Sequence, residues 1–128
     1  MRSIISTKNA PGAIGPYSQG VVVEAPKKTV FFSGQIALDP SSGQMLSGGI
    51  EAETKQVMKN IAALLQEAGA NFENVVKTTI FLKNFNDFAK VNEIYGSHFT
   101  KNPPARSTVE VARLPKDALI EIECIVAL

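Results

Sequence analysis

An apolar helical period in the middle of the chain most constrains the fold. Between residues 50 and 68 apolar side chains return at steps of three and four, and Gly69 follows as a C-terminal stop. The flanking segments are instead rich in β-branched and aromatic residues, which favour strands. The sequence therefore predicts an amphipathic helix between two β-rich parts.

The segments around this helix predict the order of the remaining elements. A second helix with an apolar stripe is expected to begin at a cap on Asn86 or Asp87 and to end before Pro103. Strands are expected at residues 2–6, 20–24, 29–33 and 75–82 and in two segments of the last quarter, beginning near residues 105 and 119. Turns at residues 25–28 and 39–43, and a tight turn between the last two strands, predict hairpins.

This order describes an α+β chain with a mixed sheet and two helices packed on one face. A length of 128 residues fits one domain, residues 1–128. Two helices cover only one face of such a sheet, so the other face needs a different cover. We interpret the second face as one that is covered by association with another subunit.

Composition limits the partners. Thirteen basic and twelve acidic residues give a net charge of +1, which does not favour nucleic acid or an acidic membrane surface. No apolar run approaches the roughly 20 residues that cross a bilayer, and the first residues lack the apolar stretch of a secretory signal. Cys124 is the only cysteine, which excludes an internal disulfide and fits a reducing compartment. We expect a soluble, cytoplasmic protein whose partner is a small molecule or another protein.

Arg106 and Glu121 are the residues that most strongly indicate chemistry. Glu121 lies in a largely apolar strand, where a carboxylate is costly to bury unless it has a partner or a task. Arg106 opens the preceding strand, and a guanidinium binds a carboxylate through two parallel hydrogen bonds. The two residues predict either a structural ion pair or a pocket for a small carboxylic acid beside a base.

Other candidates each have two interpretations. Tyr17 ends a loop rich in proline and glycine, where its phenol either binds a ligand or packs. Ser33 and Gly34 end a strand, at a β-bulge or at a close approach of backbone to ligand. Asn92 on the second helix either points into a site or is exposed. His98 has no neighbouring ligand for a metal site and is expected at the surface.

Four sequence blocks resemble the RidA (YjgF type) family of enamine and imine deaminases. They are AIGPYSQG at residues 13–20, SGQI at 33–36, DFAKVN at 87–92, and PARS at 104–107 together with IEIEC at 120–124. The resemblance covers nearly the whole chain. It implies a chorismate-mutase-like α+β fold that forms a homotrimer, with sheets inside, helices outside and three active sites between subunits.

The resemblance also implies an activity without cofactor or metal. Family members hydrolyse 2-aminoacrylate and 2-aminocrotonate, or their imine tautomers, which pyridoxal-phosphate-dependent dehydratases release, to 2-oxo acids and ammonia. Carried over by position, Arg106 would bind the substrate carboxylate and Glu121 would orient or deprotonate the attacking water. Tyr17 would add a hydrogen bond from a neighbouring subunit. Ser33, Gly34, Asn92 and Thr108 would line the pocket.

Two other functions stay open from the sequence. A regulatory trimer would bind 2-oxo acids in the same clefts without turnover. An endoribonuclease that inhibits translation is the third, although a net charge near zero and a single histidine speak against it. Bacterial relatives often have cysteine at the position of Thr108, so no thiol-based redox role is expected here.

Overall fold

The structure is a computed structural model that describes residues 2–128. Two α-helices, α1 (Gly49–Glu67) and α2 (Phe88–Gly96), lie in this part of the chain. Its strands are β1 (Arg2–Ile5), β2 (Gly20–Val23), β3 (Thr29–Gln35), β4 (Val75–Leu82), β5 (Ala105–Glu110) and β6 (Ile120–Ala127). Short 3₁₀ helices cover Phe72–Asn74, Phe85–Asp87 and Pro115–Asp117.

The strands form a mixed sheet of four and a separate ribbon of two. The order in the sheet is β3-β6-β4-β5, with β4 and β5 parallel and the other neighbours antiparallel. The ribbon pairs β1 with β2. A mixed sheet with two helices is the predicted α+β class, and that prediction is confirmed.

Both predicted helices are present. The inner side of α1 buries Thr54, Val57 and Ile61, and Gly69 follows its cap with a φ of 74° in the left-handed region that favours glycine. Asp87 stands at the start of α2 but its side chain makes no capping hydrogen bond there. The predicted turn at residues 39–43 is also present, because the Gly43 N–H donates to the Asp39 carbonyl at 2.7 Å.

Two predicted hairpins are wrong. The strands β2 and β3 do not pair with each other, since β2 joins the ribbon and β3 pairs with β6. The strands β5 and β6 are not neighbours either, because β4 lies between them. The helix α2 connects β4 to β5 as a crossover, which makes those two strands parallel neighbours and leaves β6 to pair with the other edge of β4.

The two faces of the sheet differ in burial. One face packs on the helices through alternate residues such as Ile120, Ile122 and Cys124 of β6. Cys124 is 3% exposed, as expected for a small core residue, and burial raises the pKa of its thiol to about 12. On the opposite face Phe31 is 72% exposed and lies beside Ile125. This second face therefore leaves a large apolar side chain uncovered in a single chain.

No helix in residues 2–128 is both long and apolar enough to span a membrane.

Candidate functional site

Arg106 is the centre of one group of predicted site residues. It lies in register with Thr78 of β4, whose hydroxyl bonds Tyr95 of α2, so it belongs to the face of the sheet that packs on the helices. Its Nη1 donates to Oδ1 of Asn92 at 2.7 Å. Of the two interpretations of Asn92, the one in which it points into a site is consistent with this contact.

Aromatic rings surround the Arg106 guanidinium. Its Cζ lies 5.3 Å from the ring centre of Tyr17, 5.6 Å from that of Phe88 and 5.2 Å from that of Tyr95. These distances allow cation–π attraction and restrict the side chain. Tyr95 was not predicted as a site residue, because its helical spacing marked it only as core.

The charge of Arg106 is not balanced by an acid within the part of the chain that the structure describes. Desolvation lowers the pKa of Arg106, while Tyr95 and Tyr17 raise it, and a guanidinium keeps its charge at neutral pH. Within residues 2–128 no carboxylate lies at ion-pair distance from it. A half-buried cation of this kind favours a small anion.

The loop that carries Tyr17 is anchored to the start of β5. The Ser18 hydroxyl donates to the Pro103 carbonyl at 2.5 Å, and the Ser18 N–H donates to the Pro104 carbonyl at 3.1 Å. The Tyr17 hydroxyl accepts from the Ile14 N–H at 3.3 Å. Tyr17 and Arg106 are therefore held together within one chain.

Glu121 lies on the opposite face of the sheet from Arg106. It is in register with Phe81 of β4, whereas Arg106 is in register with Thr78. Positions three apart on a strand point to opposite faces. The predicted pairing of Arg106 and Glu121 on adjacent strands is wrong, because β4 separates the strands and the two side chains leave it in opposite directions.

Gly34 lies directly under Glu121. The register between β3 and β6 shifts between Phe32 and Gln35, so the predicted β-bulge is present at Ser33 and Gly34. A Cβ built on Gly34 would overlap the Glu121 carboxylate. The predicted close approach to this glycine is therefore also present, and it is made by a carboxylate of the same chain.

Thr108 and His98 are the remaining candidates. Thr108 shares the face of Arg106, in register with Ile80, and its hydroxyl oxygen is buried without a hydrogen-bond partner in the described chain. His98 is half-buried, its ring centre 4.9 Å from that of Phe72, and desolvation lowers its pKa. In residues 2–128 no group of three His, Cys, Asp or Glu is placed to hold a metal ion.

A sequence model of the family described as Endoribonuclease L-PSP matches residues 7–128. The chain belongs to this family, the RidA/YjgF family. Human 2-iminobutanoate/2-iminopropanoate deaminase is 54% identical over 125 residues, which are 98% of this chain and 89% of that protein. RidA from the Antarctic bacterium Psychrobacter is 39% identical with a TM-score of 0.75, over 98% of this chain and 99% of that one. Escherichia coli TdcF with bound serine is 40% identical with a TM-score of 0.73, over 98% of each chain.

The predicted site residues of this RidA-family chain thus form two groups. The arginine half-site consists of Tyr17, Asn92, Arg106 and Thr108 on the helix side. The glutamate half-site consists of Ser33, Gly34 and Glu121 on the uncovered side. Chemically, the first offers a cation with hydrogen-bond donors, and the second offers a carboxylate that can accept a proton.

Proposed function

We propose that this chain hydrolyses 2-iminobutanoate and 2-iminopropanoate, the tautomers of 2-aminocrotonate and 2-aminoacrylate, to 2-oxo acids and ammonia. The observation that carries the proposal is 54% identity to the human deaminase of that name over nearly the whole chain. The arginine half-site fits this substrate class, because Arg106 is a half-buried cation without a carboxylate partner among residues 2–128.

In the proposed reaction Arg106 binds the substrate carboxylate. One guanidinium nitrogen donates to Asn92, and the other N–H groups remain for two parallel bonds to the substrate. Glu121 takes a proton from water as the water oxygen bonds to the imine carbon. That proton passes to the nitrogen and gives a carbinolamine. The hydroxyl proton of the carbinolamine is then transferred to the amino group as the carbon–oxygen double bond forms and the carbon–nitrogen bond breaks, so that ammonia and a 2-oxo acid are the products. Tyr17 and the Thr108 segment contribute hydrogen bonds to the bound intermediate.

The proposal includes a homotrimer with sites between subunits. Arg106 and Glu121 leave opposite faces of one sheet, so a small imino acid bound at one half-site of a chain does not reach the other. A neighbouring subunit that covers the exposed Phe31 face brings its own arginine half-site toward Glu121. Tyr17 then acts from the subunit that supplies Arg106.

Mixed oligomers test the shared site directly. Arg106→Ala and Glu121→Ala subunits are each expected to be inactive in hydrolysis of 2-iminobutanoate, which a threonine dehydratase generates in the assay. After unfolding and refolding together in equal amounts, about a quarter of wild-type activity should return, since one interface in four then combines two intact half-sites. Arg113→Ala is the matched control, because Arg113 is exposed and pairs only with Asp117.

The outcomes separate the parts of the proposal. Absence of acceleration by the wild-type protein refutes the deaminase and favours a trimer that binds 2-oxo acids. Activity of the single variants refutes the assigned roles, and failure of the mixture to recover refutes the shared site.

The family description gives a reason to assay RNA cleavage as a second function. The net charge of +1 and the packing of His98 against Phe72 make it the weaker candidate. Cleavage of a single-stranded RNA that Glu121→Ala abolishes would establish it.

One domain over residues 1–128 and a cytoplasmic location belong to the same proposal. A single apolar cluster that includes residues of α1, α2, β4 and β6 supports the first, and a sole, buried cysteine supports the second.

A further inference from the structure

Glu53 of α1 is a buried carboxylate that neither half-site contains. The residue is 6% exposed, and burial raises the pKa of its carboxyl group while a hydrogen bond from Leu119 lowers it. A carboxyl group in such a place costs stability that an apolar residue would not cost, which points to a task that an apolar residue could not perform. Its single described hydrogen bond indicates what that task is.

The carboxylate of Glu53 holds the backbone just before β6. Its Oε1 accepts from the Leu119 N–H at 2.9 Å, while the Leu119 carbonyl accepts from the Lys83 N–H at 3.0 Å. Both backbone groups of Leu119 are therefore fixed, one by α1 and one by the end of β4. Glu121 follows two residues later, so these bonds set where its side chain starts.

Asn60 makes the equivalent connection to the other strand of the glutamate half-site. Its Nδ2 donates to the carbonyls of Leu38 at 2.9 Å and Ile36 at 3.3 Å. Gln56 orients it, because Gln56 Nε2 donates to Asn60 Oδ1 at 2.8 Å. Ile36 follows the bulge at Gly34 by two residues. Positions 53 and 60 are two helical turns apart and share one side of α1.

We propose that α1 positions the glutamate half-site, with Glu53 fixing the strand that carries Glu121 and Asn60 fixing the strand that carries Gly34. The inference rests on the proposed function, which assigns proton transfer to Glu121. Because the Glu121 carboxylate lies so close to Gly34, a shift of either strand moves it relative to the substrate. Glu53 and Asn60 do not touch the substrate and are positioning residues.

The test compares Glu53→Ala, Glu53→Gln and Glu51→Ala in hydrolysis of 2-iminobutanoate. Glu53→Ala should lower kcat about 10-fold to about 100-fold with little change in KM, because the arginine half-site still binds the carboxylate. Glu53→Gln keeps an oxygen acceptor for Leu119 and should recover most of kcat. Glu51→Ala is the control on the same helix, since Glu51 is exposed and pairs only with Lys55.

Asn60→Ala provides a second, independent variant if Glu53→Ala does not fold. It should also lower kcat without raising KM. Hydrogen exchange of the Leu119 amide should accelerate in Glu53→Ala and not in Glu53→Gln, which separates the anchoring bond from general loosening.

Three results would overturn the inference. One is a folded Glu53→Ala protein with wild-type kcat, and the second is a Glu53→Gln protein as slow as Glu53→Ala. The third is wild-type kcat in Asn60→Ala. A wild-type protein without deaminase activity would refute the proposed function itself, and the inference with it.

Discussion

Replacement of Gly34 by alanine should strongly slow catalysis while leaving the fold intact. The backbone of Gly34 is outside the left-handed region, so alanine adopts its conformation without strain. The new methyl group would instead overlap Oε2, Cδ and Cγ of Glu121. The only large consequence is that the Glu121 carboxylate must move.

The size of this movement gives the size of the effect. Restoring ordinary van der Waals contact requires the carboxylate to retreat by about 1 Å, and a misplacement of about 1 Å in a catalytic group costs about 100-fold in rate. That factor corresponds to about 2.7 kcal/mol of activation free energy. Glycine also loses more conformational entropy than alanine when a strand folds, so the unfolding free energy should not fall.

The assay is kcat for 2-iminobutanoate hydrolysis together with urea denaturation of the same preparation. Gly12→Ala is the matched control, because a Cβ at Gly12 meets no atom within 4 Å and its backbone is also outside the left-handed region. The reasoning is refuted if Gly34→Ala keeps wild-type kcat, or if it loses activity only in proportion to a loss of folded protein.

Four further perturbations follow from the same structure. Asn92→Ala removes the acceptor of Arg106 Nη1 and should raise KM about 10-fold with a smaller change in kcat, as measured in initial rates. Thr78→Val removes the hydroxyl 2.7 Å from the buried Tyr95 hydroxyl and should lower the unfolding free energy by about 1–3 kcal/mol in urea. Phe31→Asp places a charge on the exposed sheet face and should convert the proposed trimer to monomers in light scattering, with loss of activity. Burial raises the pKa of Glu53 above 4.5, so its contribution to stability is present at low pH and is lost as pH rises through the raised value. Glu53→Gln should therefore gain stability relative to wild type as pH rises from the ordinary pKa of a glutamate through the raised value, as measured by urea midpoints.

Each of these expectations has a contrary result. An unchanged KM in Asn92→Ala would show that Arg106 needs no support from α2, and an unchanged urea midpoint in Thr78→Val would show that the Tyr95 hydroxyl finds another partner. A trimeric Phe31→Asp protein would place the subunit interface elsewhere. A stability difference between Glu53→Gln and wild type that does not change with pH would contradict the assigned titration.

The helices and the central strand were predictable because their signals are local. The helical period of residues 50–68 and the β-branched run at 75–82 need no knowledge of the rest of the chain. The pairing of strands is not local. The segment between β5 and β6 reads as a turn, yet β4 occupies the place between the two strands because α2 carries the chain from β4 to a parallel β5.

The sequence identified which residues belong to the candidate site more fully than how these residues are arranged in space. A carboxylate in an apolar strand and an arginine at a strand start identified Glu121 and Arg106, but alternation within each strand does not tell how two strands are registered to a third. Only the register with Thr78 and Phe81 shows that they leave opposite faces. Glu53 gave a comparable signal, because it is an acid at a core position of the amphipathic helix α1, just as Glu121 is an acid in an apolar strand. It was overlooked because α1 was interpreted only through its apolar residues.

Because Cys124 is buried, the reactivity of its thiol reports on unfolding of the chain. At neutral pH nearly all of this thiol is protonated, since its pKa is raised to about 12, and oxidants or alkylating reagents attack the thiolate. The side chain lies in the core on the face of β6 that packs on the helices, so reagents reach it only when this core opens. Labelling of this one thiol therefore measures opening of the core between helices and sheet, and oxidants that modify surface cysteines of other proteins leave Cys124 of the folded chain unmodified.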